Sequence, residues 1–126
     1  MSSYAEIARR GFEAAARGDY DALAAILDPE VRWHGGDPDA EGACLGRGQA
    51  LAWMRGREAR GAGPFPELVE VLESGERVAV IMRHAPTPDD PQARLVANLA
   101  TFRDGLVVEM VHYFDAEDAR AALLTS

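Results

Sequence analysis

The sequence predicts an α+β fold in which helices come first and antiparallel strands follow. Three observations predict it. Apolar residues recur at helical spacing over residues 3–17. They alternate with polar ones, or run nearly continuously, between residues 66 and 113. The dipeptide Asp104-Gly105, a strong hairpin signal, separates the last two of those runs. Helices followed by strands joined as hairpins pack the helices on one face of a bent sheet.

In order, Ser2 or Ser3 caps a first helix reaching Arg17, with Glu6 as its capping-box partner. Ile7, Gly11, Ala14 and Ala15 share a stripe beside Tyr4, Ala8 and Phe12. Gly18 ends the helix. Asp19 caps a second one over Tyr20 to Leu27 that buries Leu23, Ile26 and Leu27. The tripeptide Arg17-Gly18-Asp19 is read as the junction between these helices. Asp28-Pro29-Glu30 is a turn, because proline cannot extend the helix. Val31 to His34 is a short strand with Val31 and Trp33 inward, and with Arg32 and His34 toward solvent. Residues 35–46, rich in Gly, Asp and Pro and carrying Cys44, form a loop suited to be a flap beside a site. A third helix covers residues 46–60, with Leu51, Trp53 and Met54 apolar and Arg47, Arg55, Arg57 and Arg60 on a basic outer face. Strands follow over Pro66 to Glu73, Arg77 to His84, Leu95 to Arg103, and from Leu106 past His112. A tail helix, Ala116 to Leu124, is capped by Asp115.

The chain has 126 residues, one domain's worth, and residues 1–126 are read as a single domain without repeat, low-complexity tract or linker. A net charge of −8 repels phosphate backbones and anionic surfaces, so neither nucleic acid nor membrane is an expected partner. The single cysteine, Cys44, forms no intramolecular disulfide and fits a reducing compartment. No basic-then-apolar leader opens the sequence, and no apolar run is long enough to span a bilayer; the expected location is the cytoplasm. The three histidines lie on separate strands without metal-ligand spacing. Neither a P-loop, a GxGxxG nor a serine elbow is present, so no metal and no cofactor are expected.

Alternation sets Met110, His112 and Phe114 on one face of the last strand, Asn98, Ala100 and Phe102 on one face of the strand before it, and Val78, Val80, Met82 and His84 on one face of the strand before that. His84 falls near a strand end, at the rim, and Tyr113 faces the other way. Inward-facing Asn98 and His112 suit a wet or ligand-filled cavity better than a filled core, because a buried amide without partners costs roughly 1–3 kcal/mol.

Five stretches then carry a resemblance: residues 14–21 (Ala-Ala-Ala-Arg-Gly-Asp-Tyr-Asp), Leu27-Asp28-Pro29-Glu30-Val31-Arg32-Trp33, Gly48-Gln49-Ala50 leading to Trp53, Gly75 to Val80, and Asp104 to Glu109 with Tyr113 and Asp115. In this order they resemble the SnoaL-like branch of the nuclear transport factor 2 superfamily. The resemblance implies a cone-shaped, cystatin-like α+β roll, a curved antiparallel sheet around three helices with an internal apolar pocket. It also implies a homodimer joined through the outer sheet face. The superfamily holds ketosteroid isomerases, epoxide hydrolases, polyketide cyclases and dehydratases, so the fold does not give the function. Where ketosteroid isomerase keeps its base, its oxyanion-hole tyrosine and its neutral acid, this sequence has Gly35, Gly11 and Asn98. Where SnoaL-like cyclases keep a pocket aspartate as acid/base it has His112, and histidine can make the same proton transfer.

The resulting candidate site has His112 and Asn98 as catalytic residues. Trp33, Trp53, Phe12, Met82, Phe102, Met110 and His84 contact a small apolar molecule. Two functions fit: a cofactor-independent isomerase, cyclase or dehydratase acting on an apolar carbonyl compound, or a module that binds a hydrophobic metabolite without turnover. A dimerisation domain with a filled core is the third reading.

Overall fold

In the computed structural model, which describes residues 3–34, 44–56, 65–86, 88, 91 and 93–125, Ser3 Oγ accepts the Glu6 N–H at 3.2 Å and starts helix α1 (Tyr4–Ala16). Gly18, at φ +72°, turns the chain out of that helix. Asp19 Oδ1 accepts the Ala22 N–H at 3.1 Å and starts α2 (Tyr20–Ala24). This second helix is shorter than the apolar spacing suggested. Leu27 already belongs to strand β1 (Leu27–His34), and the Val107 N–H reaches across to the Ile26 carbonyl at 2.8 Å. The expected turn at Asp28-Pro29-Glu30 is thus part of a strand. Its pairing is irregular between Leu27 and Arg32, which is where Pro29, lacking an N–H, can sit.

Cys44–Leu45 form the two-residue strand β2, paired with Trp33 and Arg32, instead of lying in a loop. Helix α3 spans Arg47–Arg55. Arg57, Arg60, and Gly35 with the rest of the expected flap at 35–43, lie outside the described residues. Strands β3 (Glu67–Ser74), β4 (Arg77–Arg83), β5 (Leu95–Arg103) and β6 (Leu106–Tyr113) agree with the sequence reading to within a residue or two. Helix α4 (Ala116–Leu124) follows, with Asp115 Oδ1 accepting the Glu117 N–H at 2.9 Å.

The strands form one curved sheet in the order β2-β1-β6-β5-β4-β3. All neighbours are antiparallel except β1 and β6, which run parallel, so the sheet is mixed. Its inner face packs against α1, α2 and α3. Phe102 stacks on Tyr4 there, ring centres 4.6 Å apart. Its outer face carries Ala79, Ile81, Ala97 and Leu99, which α4 covers with Ala116, Ala119 and Leu123; Tyr113 packs with them, as its outward position requires. Among the described residues no helix is long and apolar enough to cross a membrane.

His34 does point to the outer face, as expected, but is only 4% exposed and does not meet solvent. Its Nε2 lies 3.6 Å from Glu109 Oε2 on the adjacent strand β6, and its Nδ1 has no hydrogen-bond partner among the described residues.

Candidate functional site

Between the inner sheet face and the helices lies a cavity of about 460 Å³. Small residues make the room. Ala8, Gly11 and Ala15 of α1 face it from one side and Ala100 of β5 from the other, where longer side chains would fill it. At Gly11 a Cβ would run into Ile26 Cδ1, so the helix approaches its neighbour as closely as glycine allows. The volume falls within the usual range for small-molecule pockets.

The walls are apolar: Phe12, Trp33, Trp53, Phe65, Met54, Met82, Val80, Met110 and Phe114 face the space. Phe12 and Phe65 meet edge to face at 5.2 Å. Trp53 and Phe114 also line the cavity while 43% and 67% exposed, so they form its mouth. Of the side chains proposed from sequence to hold a ligand, Trp33, Trp53, Phe12, Met82, Met110 and His84 line the cavity. Phe102 does not. It is fully buried and its face is spent on Tyr4, so it belongs to the core beneath the pocket. Phe65 and Phe114 complete the wall without having been proposed. Phe114 continues the alternation of Met110 and His112 and was legible. Phe65 sits between two prolines, where no periodicity marks it.

His84, Asn98 and His112 carry the polar chemistry of this wall. The β5–β6 register sets Asn98 directly opposite His112, and the Asn98 amide oxygen lies 2.8 Å from His112 Nδ1. A carbonyl oxygen only accepts, so the ring donates from Nδ1–H. The neutral imidazole then keeps its lone pair on Nε2. Phe114 stands edge-on to the same ring at 5.3 Å. Burial, and secondarily the nearby His84, holds the His112 pKa below the ordinary 6.5, so the ring is neutral at neutral pH. The site therefore offers an oriented, uncharged proton acceptor in apolar surroundings. Among the described residues no three metal-ligating side chains converge to hold an ion.

The model of the SnoaL-like domain matches residues 8–110, most of the chain. The chain belongs to the SnoaL-like domain family. No curated protein matches its sequence. Among solved structures, an NTF2-like protein of unknown function from Burkholderia pseudomallei is similar over 100% of both chains, with 25% identity and a TM-score of 0.73. The protein Bal32a, from a soil-derived mobile gene cassette, is similar over 94% of both chains, with 27% identity and a TM-score of 0.70. A candidate polyketide cyclase from Sinorhizobium meliloti, 20% identical, aligns over 84% of this chain and 92% of its own with a TM-score of 0.66, a likeness of fold alone.

Within this SnoaL-like fold, Gly11 stands where the resemblance to ketosteroid isomerase calls for a tyrosine. With Ile26 Cδ1 packed against it, no larger side chain enters there without displacing Ile26. Asn98, read from sequence as a donor to a substrate oxygen, has its own oxygen engaged by His112 and keeps only its amide N–H groups for a ligand.

Proposed function

We propose that this SnoaL-like protein is a cofactor-independent enzyme, acting in the cytoplasm as a homodimer, that catalyses isomerisation, cyclisation or dehydration of a small apolar carbonyl compound. The single observation carrying this reading is the 2.8 Å His112–Asn98 pair set in the wall of an apolar cavity. In the proposed reaction, His112 Nε2 takes a proton from the carbon next to the carbonyl, leaving an enolate. The resulting imidazolium returns the proton at another atom of the substrate. Asn98 orients the base by accepting from Nδ1–H in both protonation states, and its amide N–H groups are available to the substrate oxygen. Trp33, Trp53, Phe12, Met82 and Met110 hold the apolar body by burial. The depressed His112 pKa suits a base that must be unprotonated at neutral pH.

A second reading, binding without turnover, is favoured by one observation: the described cavity wall presents no tyrosine, serine, threonine or carboxylate as a second donor or base. A turnover screen over apolar ketones and enones separates the two. Under the enzyme reading, His112→Ala lowers kcat/KM of a converted compound by about 10²–10⁴-fold. The wild-type kcat/KM rises with pH and levels off at lower pH than an imidazole of ordinary pKa would give. Unchanged turnover in that variant sinks the role of His112. Compounds that bind but are never converted leave the binding reading.

A further inference from the structure

His84 and His112 face the same cavity, and none of its other described lining residues is ionisable. Both rings are half-buried, and no carboxylate among the described lining residues supplies a counter-charge to either. Several elements line the cavity together with His112. Asn98 comes from β5, Met82 from β4 and His84 from just after it. Met110 and Phe114 flank it on its own strand, and Trp33 of β1 and Phe12 of α1 line the same space. In this apolar space a bound anion would be expensive by itself, and so would a lone imidazolium; together they neutralise each other.

We infer that the cavity takes a weak acid as its ligand, a flat apolar body carrying a carboxylate or ionised enol, and that each anion enters together with one proton, which His112 accepts on Nε2. Nothing has to rearrange for this. Asn98 Oδ1 accepts from Nδ1–H whether or not Nε2 is protonated, so the imidazolium presents Nε2–H to the anion while its other side stays satisfied. His84 lines the same cavity and lies near enough to His112 to act on it electrostatically, so its ring N–H is a second donor for the anion. Trp33, Trp53 and Phe114 line the cavity and offer aromatic faces to such a flat body. This inference rests on the pocket of the proposed function but not on turnover.

The test compares 2-naphthoate with its neutral isostere 2-naphthamide by titration calorimetry in buffers of different ionisation enthalpy, from about pH 6 to pH 8. The expected result is uptake of about one proton per 2-naphthoate bound, and a Kd that rises with pH, approaching about tenfold per unit. The amide should show neither. His112→Gln should abolish the proton uptake. A second measurement needs no variant: the His112 ring carbons in wild-type protein should move to imidazolium values on adding 2-naphthoate and stay put on adding the amide. Pocket binding of the amide with no binding of the carboxylate overturns the inference and leaves the carbonyl-compound reading intact. So does carboxylate binding without proton uptake. Failure of both probes to bind overturns the weak-acid inference too, whereas absence of turnover with proton-linked binding overturns only the enzyme.

Discussion

Asn98 and His112 hold one another at 2.8 Å on adjacent strands, and each would be costly in that wall without the other. Removing the amide by Asn98→Ala leaves the Nδ1–H without its acceptor in a largely apolar wall. Stability should fall by about 1–3 kcal/mol in urea denaturation. The same variant should lower kcat more than it changes KM, because the base loses its fixed tautomer while the apolar contacts remain. Histidine 112 also links stability to pH. Its folded pKa lies below 6.5, so the unfolded chain binds more protons at mildly acidic pH. Its contribution is therefore complete above about pH 6.5 and is lost as pH falls from there toward the folded value. Melting temperatures of wild type should drop between pH 7.5 and pH 5.5 by more than those of His112→Gln; equal drops would show that the ring does not carry the linkage.

At the scale of elements, the β5–β6 hairpin matters most, because its register decides which side chains enter the cavity. Asp104 (φ +53°) and Gly105 (φ +84°) are both left-handed, and they join Arg103 directly to Leu106. Replacing Gly105 by Ala puts a Cβ into a conformation that costs roughly 1–2 kcal/mol. It should lower the unfolding midpoint by that amount while leaving the cavity chemistry in place. Asp-Gly made this hairpin legible in the sequence, as Ser3, Asp19 and Asp115 did three helix starts. The α2–β1 boundary was not legible. Leu23, Ile26 and Leu27 fit a helix stripe as well as they fit a turn into a strand, and the choice was made by pairing with β6, about eighty residues away.

The whole molecule uses both faces of its sheet. The inner face and α1–α3 enclose the cavity; α4 seals the β4–β5 part of the outer face, tied there by the Arg77 guanidinium donating to the Ala122 and Thr125 carbonyls at 2.7 and 2.9 Å. The homodimer proposed above must therefore use the outer side of β1 and β6, where Arg32 and Glu109 are paired in register, as well as or instead of the surface of α4. Sedimentation equilibrium should give twice the 13.6 kDa chain mass. A single-chain mass at micromolar concentration would remove the dimer from the proposal.

The sequence by itself determined the order of the helices and of the longer strands, the alternation that turns Met110, His112 and Asn98 inward, and the absence of a tyrosine at position 11. These are local facts of spacing and side-chain type. Only the tertiary structure decided that Ile26 closes over Gly11, that Phe102 is spent on Tyr4, and that His34 is buried against β6. It also decided that the Asn98 oxygen is taken by His112. Each of those depends on which distant segment arrives beside the residue, and spacing along one strand carries no information about its neighbour across the sheet. The same holds for the cavity itself. Alanines and a glycine on α1 read as ordinary helix residues until a curved sheet stands opposite them with Ala100, and the space left between the two is what a ligand can fill.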